Sequence, residues 1–74
     1  MSMNANDQRK VCEAGFTIIR RQNEPKPHIK YKDRNSPLAW KKMASVETDG
    51  YYKSIASRDR AMKNLLNNNF YVED

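Results

Sequence analysis

Basic side chains alternate with apolar ones in the middle of the chain, a pattern that suits phosphate binding. His28, Lys30 and Lys32 interleave with Ile29 and Tyr31. Because successive side chains of a strand point to opposite faces, this alternation predicts one basic and one apolar sheet face. Cationic groups gathered on one face are the means by which proteins neutralise the phosphates of a nucleic acid.

Four further basic residues lie in neighbouring segments that also favour strands. Arg20 and Arg21 end a β-branched run, and Lys41 and Lys42 follow Trp40. The candidate nucleic-acid-binding set is therefore Arg20, Arg21, His28, Lys30, Lys32, Lys41 and Lys42. The alternative is that these charges only protect a half-exposed sheet from edge-to-edge aggregation, as they do in many small proteins.

The net charge is concentrated in the same part of the chain. The whole sequence holds 14 basic and 9 acidic residues, a formal charge of +5. Residues 15–46 hold eight basic and two acidic residues, a net charge of +6, whereas residues 47–74 carry −1 and residues 1–14 are neutral. A charge that served solubility alone would be spread more evenly, so this distribution favours an anionic partner.

Residues that could form a catalytic or metal site are few. Cys12 is the only cysteine and His28 the only histidine, whereas a zinc site needs three or four ligands. The acidic pairs lie in a turn and in an acidic tail and do not resemble a buried acid–base pair; they are Glu47 with Asp49, and Glu73 with Asp74. Two glycines cannot form a Gly-rich phosphate loop. We therefore expect no enzyme, no cofactor and no small-molecule substrate.

The aromatic residues admit both a structural and a binding role. Trp40 is the only tryptophan, and in so small a domain we expect it in the core, with base stacking or partner anchoring as the alternative. Of Tyr51 and Tyr52, one is expected to pack beneath a following helix while the other stays exposed and open to stacking.

Length and composition indicate a single small domain. The chain has 74 residues, of which 38% are hydrophobic, and its single cysteine excludes an internal disulfide. No apolar run is long enough for a signal peptide or a membrane span, so we expect a cytoplasmic protein with no membrane association. A core of this size gains from a partner, which leaves a protein partner or a homodimer open.

The predicted elements give the fold class. Residues 1–14 show little helical pattern and are expected to be flexible, while residues 15–74 form one α+β domain. Strands are predicted near 16–21, 28–32 and 38–46, and a helix from Ser54 to about Asn69, with Ser54 as its cap and Ser57 as a competing cap. The expected fold is a two-layer β-β-β-α domain, a three-stranded antiparallel sheet packed on one C-terminal helix. Residues 70–72 would pack back on the sheet, whose other face would have no partner within the chain.

This order of elements, with its basic sheet face, resembles the small three-stranded DNA-binding domains of some integrases and plant transcription factors. The resemblance implies DNA binding through the sheet and carries over no site residues. Together these features predict a small non-enzymatic binding protein that binds DNA or RNA through a basic sheet face. The alternative is a protein-interaction or self-associating module with no nucleic-acid role.

Overall fold

Two helices and four strands make up the domain. The computed structural model describes residues 3–44 and 50–74. In chain order the elements are α1 (Ala5–Glu13), β1 (Thr17–Gln22), β2 (His28–Asp33), β3 (Ser36–Lys42), α2 (Ile55–Leu66) and β4 (Tyr71–Glu73). The strands form one sheet in the order β3-β2-β1-β4. The predicted α+β fold class is confirmed, with α1 and β4 added to the β-β-β-α core.

The register of the β1–β2 hairpin separates the two sheet faces as the alternation predicts. Ile19 lies opposite Tyr31, and both side chains belong to the face that packs against α2. Arg20 lies opposite Lys30, and Ile18 opposite Lys32. Because neighbouring residues of a strand point to opposite sides, these four residues lie on the other face, which we call the α1 face.

The apolar core lies between the sheet and α2. Ile19, Ile29 and Met62 are fully buried there. The partly buried residues that pack against them are Tyr31, Met43, Tyr52, Ala61, Leu65, Leu66 and Tyr71. The side-chain oxygen of Ser54 accepts the N–H of Ser57 at 3.1 Å, so Ser54 is the cap that the sequence predicts.

The N-terminal segment differs from expectation, because Ala5–Glu13 forms a helix. Asn4 caps it by accepting the N–H of Asp7 at 2.8 Å, and α1 contacts β1, β2 and β3. The expectation that this sheet face has no partner within the chain is therefore wrong for the half that α1 covers. The helix escapes a periodicity search because the residues that it buries are Gln8 and Cys12, an amide and a thiol rather than an aliphatic stripe.

The predicted return of residues 70–72 to the sheet is confirmed and takes the form of a strand. β4 runs parallel to β1, with Thr17 opposite Tyr71 and Ile19 opposite Glu73. The backbone N–H of Asp74 continues the pairing by donating to the carbonyl oxygen of Ile19 at 2.9 Å. β4 thus places the Asp74 side chain beside the α1 face.

Candidate nucleic-acid interface

The sheet register divides the seven candidate residues between the two faces. Those on the α1 face are Arg20, His28, Lys30, Lys32 and Lys42. Arg21 and Lys41 lie on the α2 face, because Arg21 is opposite Ile29 and Lys41 is opposite Tyr31. The single basic surface expected from the sequence therefore includes only part of the set.

Arg21 has acidic neighbours on the α2 face. Its Nε lies 2.9 Å from Oε2 of Glu73, and its Nη1 lies 3.6 Å from Oδ1 of Asp59. Two carboxylates thus offset its charge, and the three side chains are about 40% exposed, so the ion pairs contribute little to stability. Lys41 is exposed on β3, a position where lysine protects the edge of a sheet.

Lys32 attaches the sheet to α1. Although it is a lysine, only 5% of its surface is exposed. Its Nζ donates to Oε1 of Gln8 at 2.7 Å, and Nε2 of Gln8 donates to the carbonyl oxygen of Met3 at 3.0 Å. This arrangement gives the buried ammonium an acceptor, and it places Lys32 beneath the helix, out of reach of a large ligand.

Trp40 lies on the α1 face, where two cations contact its ring, rather than in the cluster around Met62. Nζ of Lys32 is 4.8 Å from the ring centroid, and Cζ of Arg20 is 4.3 Å from it. Both distances are within the range of cation–π attraction. The expectation of a core tryptophan is wrong. Trp40 lies two residues before Lys42 on β3, so the two side chains share the α1 face and point away from α2.

Arg20 is held by a buried carboxylate. Its Nε donates to Oδ2 of Asp74 at 3.0 Å, and its Nη2 bonds the same oxygen. Oδ1 of Asp74 accepts the backbone N–H of Met3 at 2.8 Å, and the Asp74 side chain is fully buried. Burial alone would raise the pKa of Asp74, but the Met3 N–H and the Arg20 guanidinium outweigh it and lower that pKa.

These contacts close a ring of interactions between the sheet, α1 and β4. We call it the α1 anchor; its members are Met3, Gln8, Arg20, Lys32, Trp40 and Asp74. The two basic members, Arg20 and Lys32, are therefore committed to holding the fold. Sequence reasoning could not find this role, because the acceptors Gln8 and Asp74 are distant from them along the chain.

The other half of the α1 face carries a second group of cations around Tyr51. Nζ of Lys42 is 4.1 Å from the centroid of the Tyr51 ring, and Nζ of Lys26 is 5.9 Å from it. The His28 ring meets the same ring edge-on, with centroids 5.3 Å apart. We call Lys26, His28, Lys42 and Tyr51 the Tyr51 cluster.

His28 is fixed within this cluster. It is buried, and its Nδ1 lies 2.7 Å from the carbonyl oxygen of Lys26. Because a carbonyl oxygen can only accept, Nδ1 carries the proton and donates it. The bond places the backbone of Lys26 against His28 at the start of β2, so the Lys26 side chain extends from the same end of the sheet as Lys42.

Lys30 joins the two groups. It lies between Arg20 of β1 and Lys42 of β3 in the register, so three cations form a row across the sheet. Like charges directly opposite one another on a sheet are destabilising. Among residues 3–44 and 50–74, no ion pair involves Lys26, Lys30 or Lys42. The predicted acidic turn of Glu47 and Asp49 lies outside the described residues.

The Cys12 thiol is buried, and metal-ligating side chains are dispersed in the described part of the chain. Burial raises the pKa of the Cys12 thiol, with a further contribution from Asp33 and an opposing one from Lys32, so this thiol is a poor nucleophile at neutral pH. In residues 3–44 and 50–74, no three His, Cys, Asp or Glu side chains come together in a group that could hold a metal ion.

Arg58 is the remaining buried cation, and its contacts are structural. Its Nη1 donates to the carbonyl oxygen of Gln22 at 2.7 Å and to Oδ1 of Asn23 at 2.9 Å, while Nε pairs with Asp59 at 2.7 Å. The side chain thus connects α2 to the end of β1.

In the described part of the chain, neither helix is long and apolar enough to cross a membrane. Comparison with protein-family models, with curated proteins and with solved structures finds no match for this chain.

Proposed function

We propose that this chain is a small non-enzymatic protein that binds the phosphate backbone of a nucleic acid. The contact surface is the half of the α1 face that α1 leaves open, with Lys30 and Lys42 as its main cations and Lys26 at its border. The observation that carries the proposal is the gathering of these lysines with no ion pair among the described residues.

The charge arrangement supports a polyanion rather than a small neutral ligand. Lys26 and Lys42 are exposed and Lys30 is partly exposed, so all three ammonium groups are accessible. Each phosphate that they neutralise releases counterions, and this release drives sequence-independent binding. The proposal gives Arg20 and Lys32 a structural role and omits Arg21, whose charge Glu73 and Asp59 offset.

Binding is tested by fluorescence anisotropy with single-stranded and duplex DNA and RNA, beginning at about 50 mM salt. We expect at least one probe to bind with salt-sensitive affinity. Because each lost phosphate contact reduces the slope of log K against log salt by about 0.7–0.9, the double variant Lys30→Gln/Lys42→Gln should reduce it by roughly 1.5.

The matched control is Lys10→Gln/Lys63→Gln, which removes the same charge from exposed positions on α1 and α2. It should leave most of the slope intact. Equal losses in the two double variants would mean that net charge alone drives binding, and failure of every probe to bind would reject a nucleic-acid role.

A protein-interaction role is the second candidate, and the edge strand β3 favours it. Leu38 on this strand is 74% exposed, and β3 lies at one end of the strand order, where backbone groups can pair with another chain. Pro37 and Lys41 on the same strand oppose such pairing.

Sedimentation velocity over a wide concentration range tests self-association through this edge. A second copy paired at β3 would give a dimer at high concentration that Leu38→Lys weakens. A monomer throughout, in both the parent chain and the variant, would exclude a homodimer through β3.

A further inference from the structure

We propose that the Tyr51 cluster binds a terminal phosphate monoester, so that the protein engages the ends of nucleic-acid strands. This inference rests on the proposed nucleic-acid binding and assigns its strongest contact. The cluster lies at the end of the sheet where β2 begins with His28 and β3 ends with Lys42.

Two ammonium groups lie close to one aromatic ring. The Lys42 and Lys26 ammonium groups lie 4.1 and 5.9 Å from the centroid of Tyr51, although they come from different segments. Lys30 adds a third cation, because it lies directly opposite Lys42. An anion bound beside Lys26 and Lys42 would offset their charges and that of the neighbouring Lys30.

Terminal and internal phosphates of a strand differ in their charge. A phosphodiester inside a strand carries one negative charge, whereas a phosphate monoester carries about 1.5 to 2 at neutral pH and has three acceptor oxygens. Ammonium groups each offer three donors. Two ammonium groups at one ring, with Lys30 beside Lys42 in the register, therefore match a terminal phosphate better than an internal one.

α1 leaves only part of the α1 face open to a ligand. α1 covers the half of this face around Lys32 and Trp40, as the contact between Gln8 and Lys32 shows. A strand that follows the lysines is thus confined to the end of the sheet. His28 is held there by its bond to the Lys26 carbonyl, which orders the backbone that positions the Lys26 side chain.

The test uses single strands of one sequence, about 12 nucleotides long, a length suited to a small binding domain. They carry a 5′-phosphate, a 3′-phosphate or hydroxyl groups at both ends, and a fourth, hydroxyl-ended strand is one nucleotide longer to add an internal phosphate. Each competes with a labelled hydroxyl-ended strand for the full chain. Inorganic phosphate is a fifth competitor.

At least one phosphate-ended strand should compete about tenfold better than both hydroxyl-ended strands, the effect of roughly one additional charge-assisted hydrogen bond. Lys26→Gln and Lys42→Gln should each remove most of this advantage, and Lys63→Gln on α2 should retain it. Thermal unfolding of each variant verifies that the fold persists.

Equal competition by all strands, with binding otherwise intact, would overturn the end-binding inference and leave the backbone proposal standing. Inorganic phosphate that displaces the labelled strand as well as a phosphate-ended strand does would assign the site to free phosphate, and that also overturns it. Failure of every strand to bind would reject the proposed function itself.

Discussion

At the scale of single residues, the environment of each basic side chain decides its role. Lys30 and Lys32 are two positions apart on β2 and share a face. Lys32 is buried and donates to Gln8, whereas Lys30 is partly exposed and lies opposite Lys42. Alternation predicts their shared face, but it cannot distinguish them, because the residue that covers Lys32 comes from a helix far away in the sequence.

Replacing Lys32 by an apolar residue tests its structural role. Lys32→Met should lower the free energy of unfolding by about 1–3 kcal/mol, because the buried Oε1 of Gln8 then loses its donor. Gln8→Ala should lower it by about 1–3 kcal/mol, because the Lys32 ammonium then loses its acceptor.

Urea denaturation measures both changes, with Lys30→Met as the control at a partly exposed position. A Lys32→Met variant as stable as the parent chain would contradict the structural role of the Lys32 ammonium.

At the scale of elements, periodicity identified those that bury aliphatic side chains. β1, β2 and α2 follow from the apolar positions at Ile19, Ile29 and Met62, all fully buried. α1 escaped prediction because polar contacts attach it. The third strand begins at Ser36, before its predicted start at residue 38, and ends at Lys42, with a register shift between Tyr31 and Asp33. Residues 45 and 46 of the predicted strand lie outside the described residues.

The candidate site was predictable only where its residues lie on strands with a regular alternation. Lys30 follows from the sequence, since strand alternation places it on the basic face. Lys42 is a candidate by its charge alone, because it is in phase with Trp40, which was expected in the core. Lys26 does not follow from the sequence, because it lies in a turn between two prolines, and turn residues have no period from which a face can be assigned. Tyr51 contacts His28, Lys26 and Lys42 only in the folded chain, because it lies in the segment before α2 and not on the strands.

Asp74 accepts hydrogen bonds from Met3 and Arg20, so the stability of the fold should depend on whether its carboxylate is ionised. The pKa of Asp74 is lowered from its ordinary value of 3.8. The carboxylate therefore stabilises the fold above pH 3.8, and this contribution is lost as the pH falls from that value through the lower pKa of the folded state. Asp74→Asn should lower the free energy of unfolding at pH 7 by about 1–3 kcal/mol and flatten its decline in acid.

Urea denaturation from pH 7 down to about pH 2 measures this change. Glu73→Gln is the control, because Glu73 forms an exposed ion pair with Arg21 that contributes little. A decline in acid that is as steep in Asp74→Asn as in the parent chain would contradict the assignment.

At the scale of the whole molecule, the basic residues differ in what they contact. One group holds the fold together, through Arg20 and Lys32 in the α1 anchor and Arg58 at the end of β1. Lys26, Lys30 and Lys42 lie at the His28 end of the sheet. In the proposed function these three lysines, and not the basic residues elsewhere on the surface, bind the nucleic acid.

Chemical-shift mapping of the ¹⁵N-labelled chain during titration with an oligonucleotide tests this assignment. We expect the largest shifts at His28, Lys30, Lys42 and Tyr51, and little change on the outer surface of α2 around Arg60 and Lys63. Shifts concentrated on α2, or spread evenly over every lysine and arginine, would contradict it.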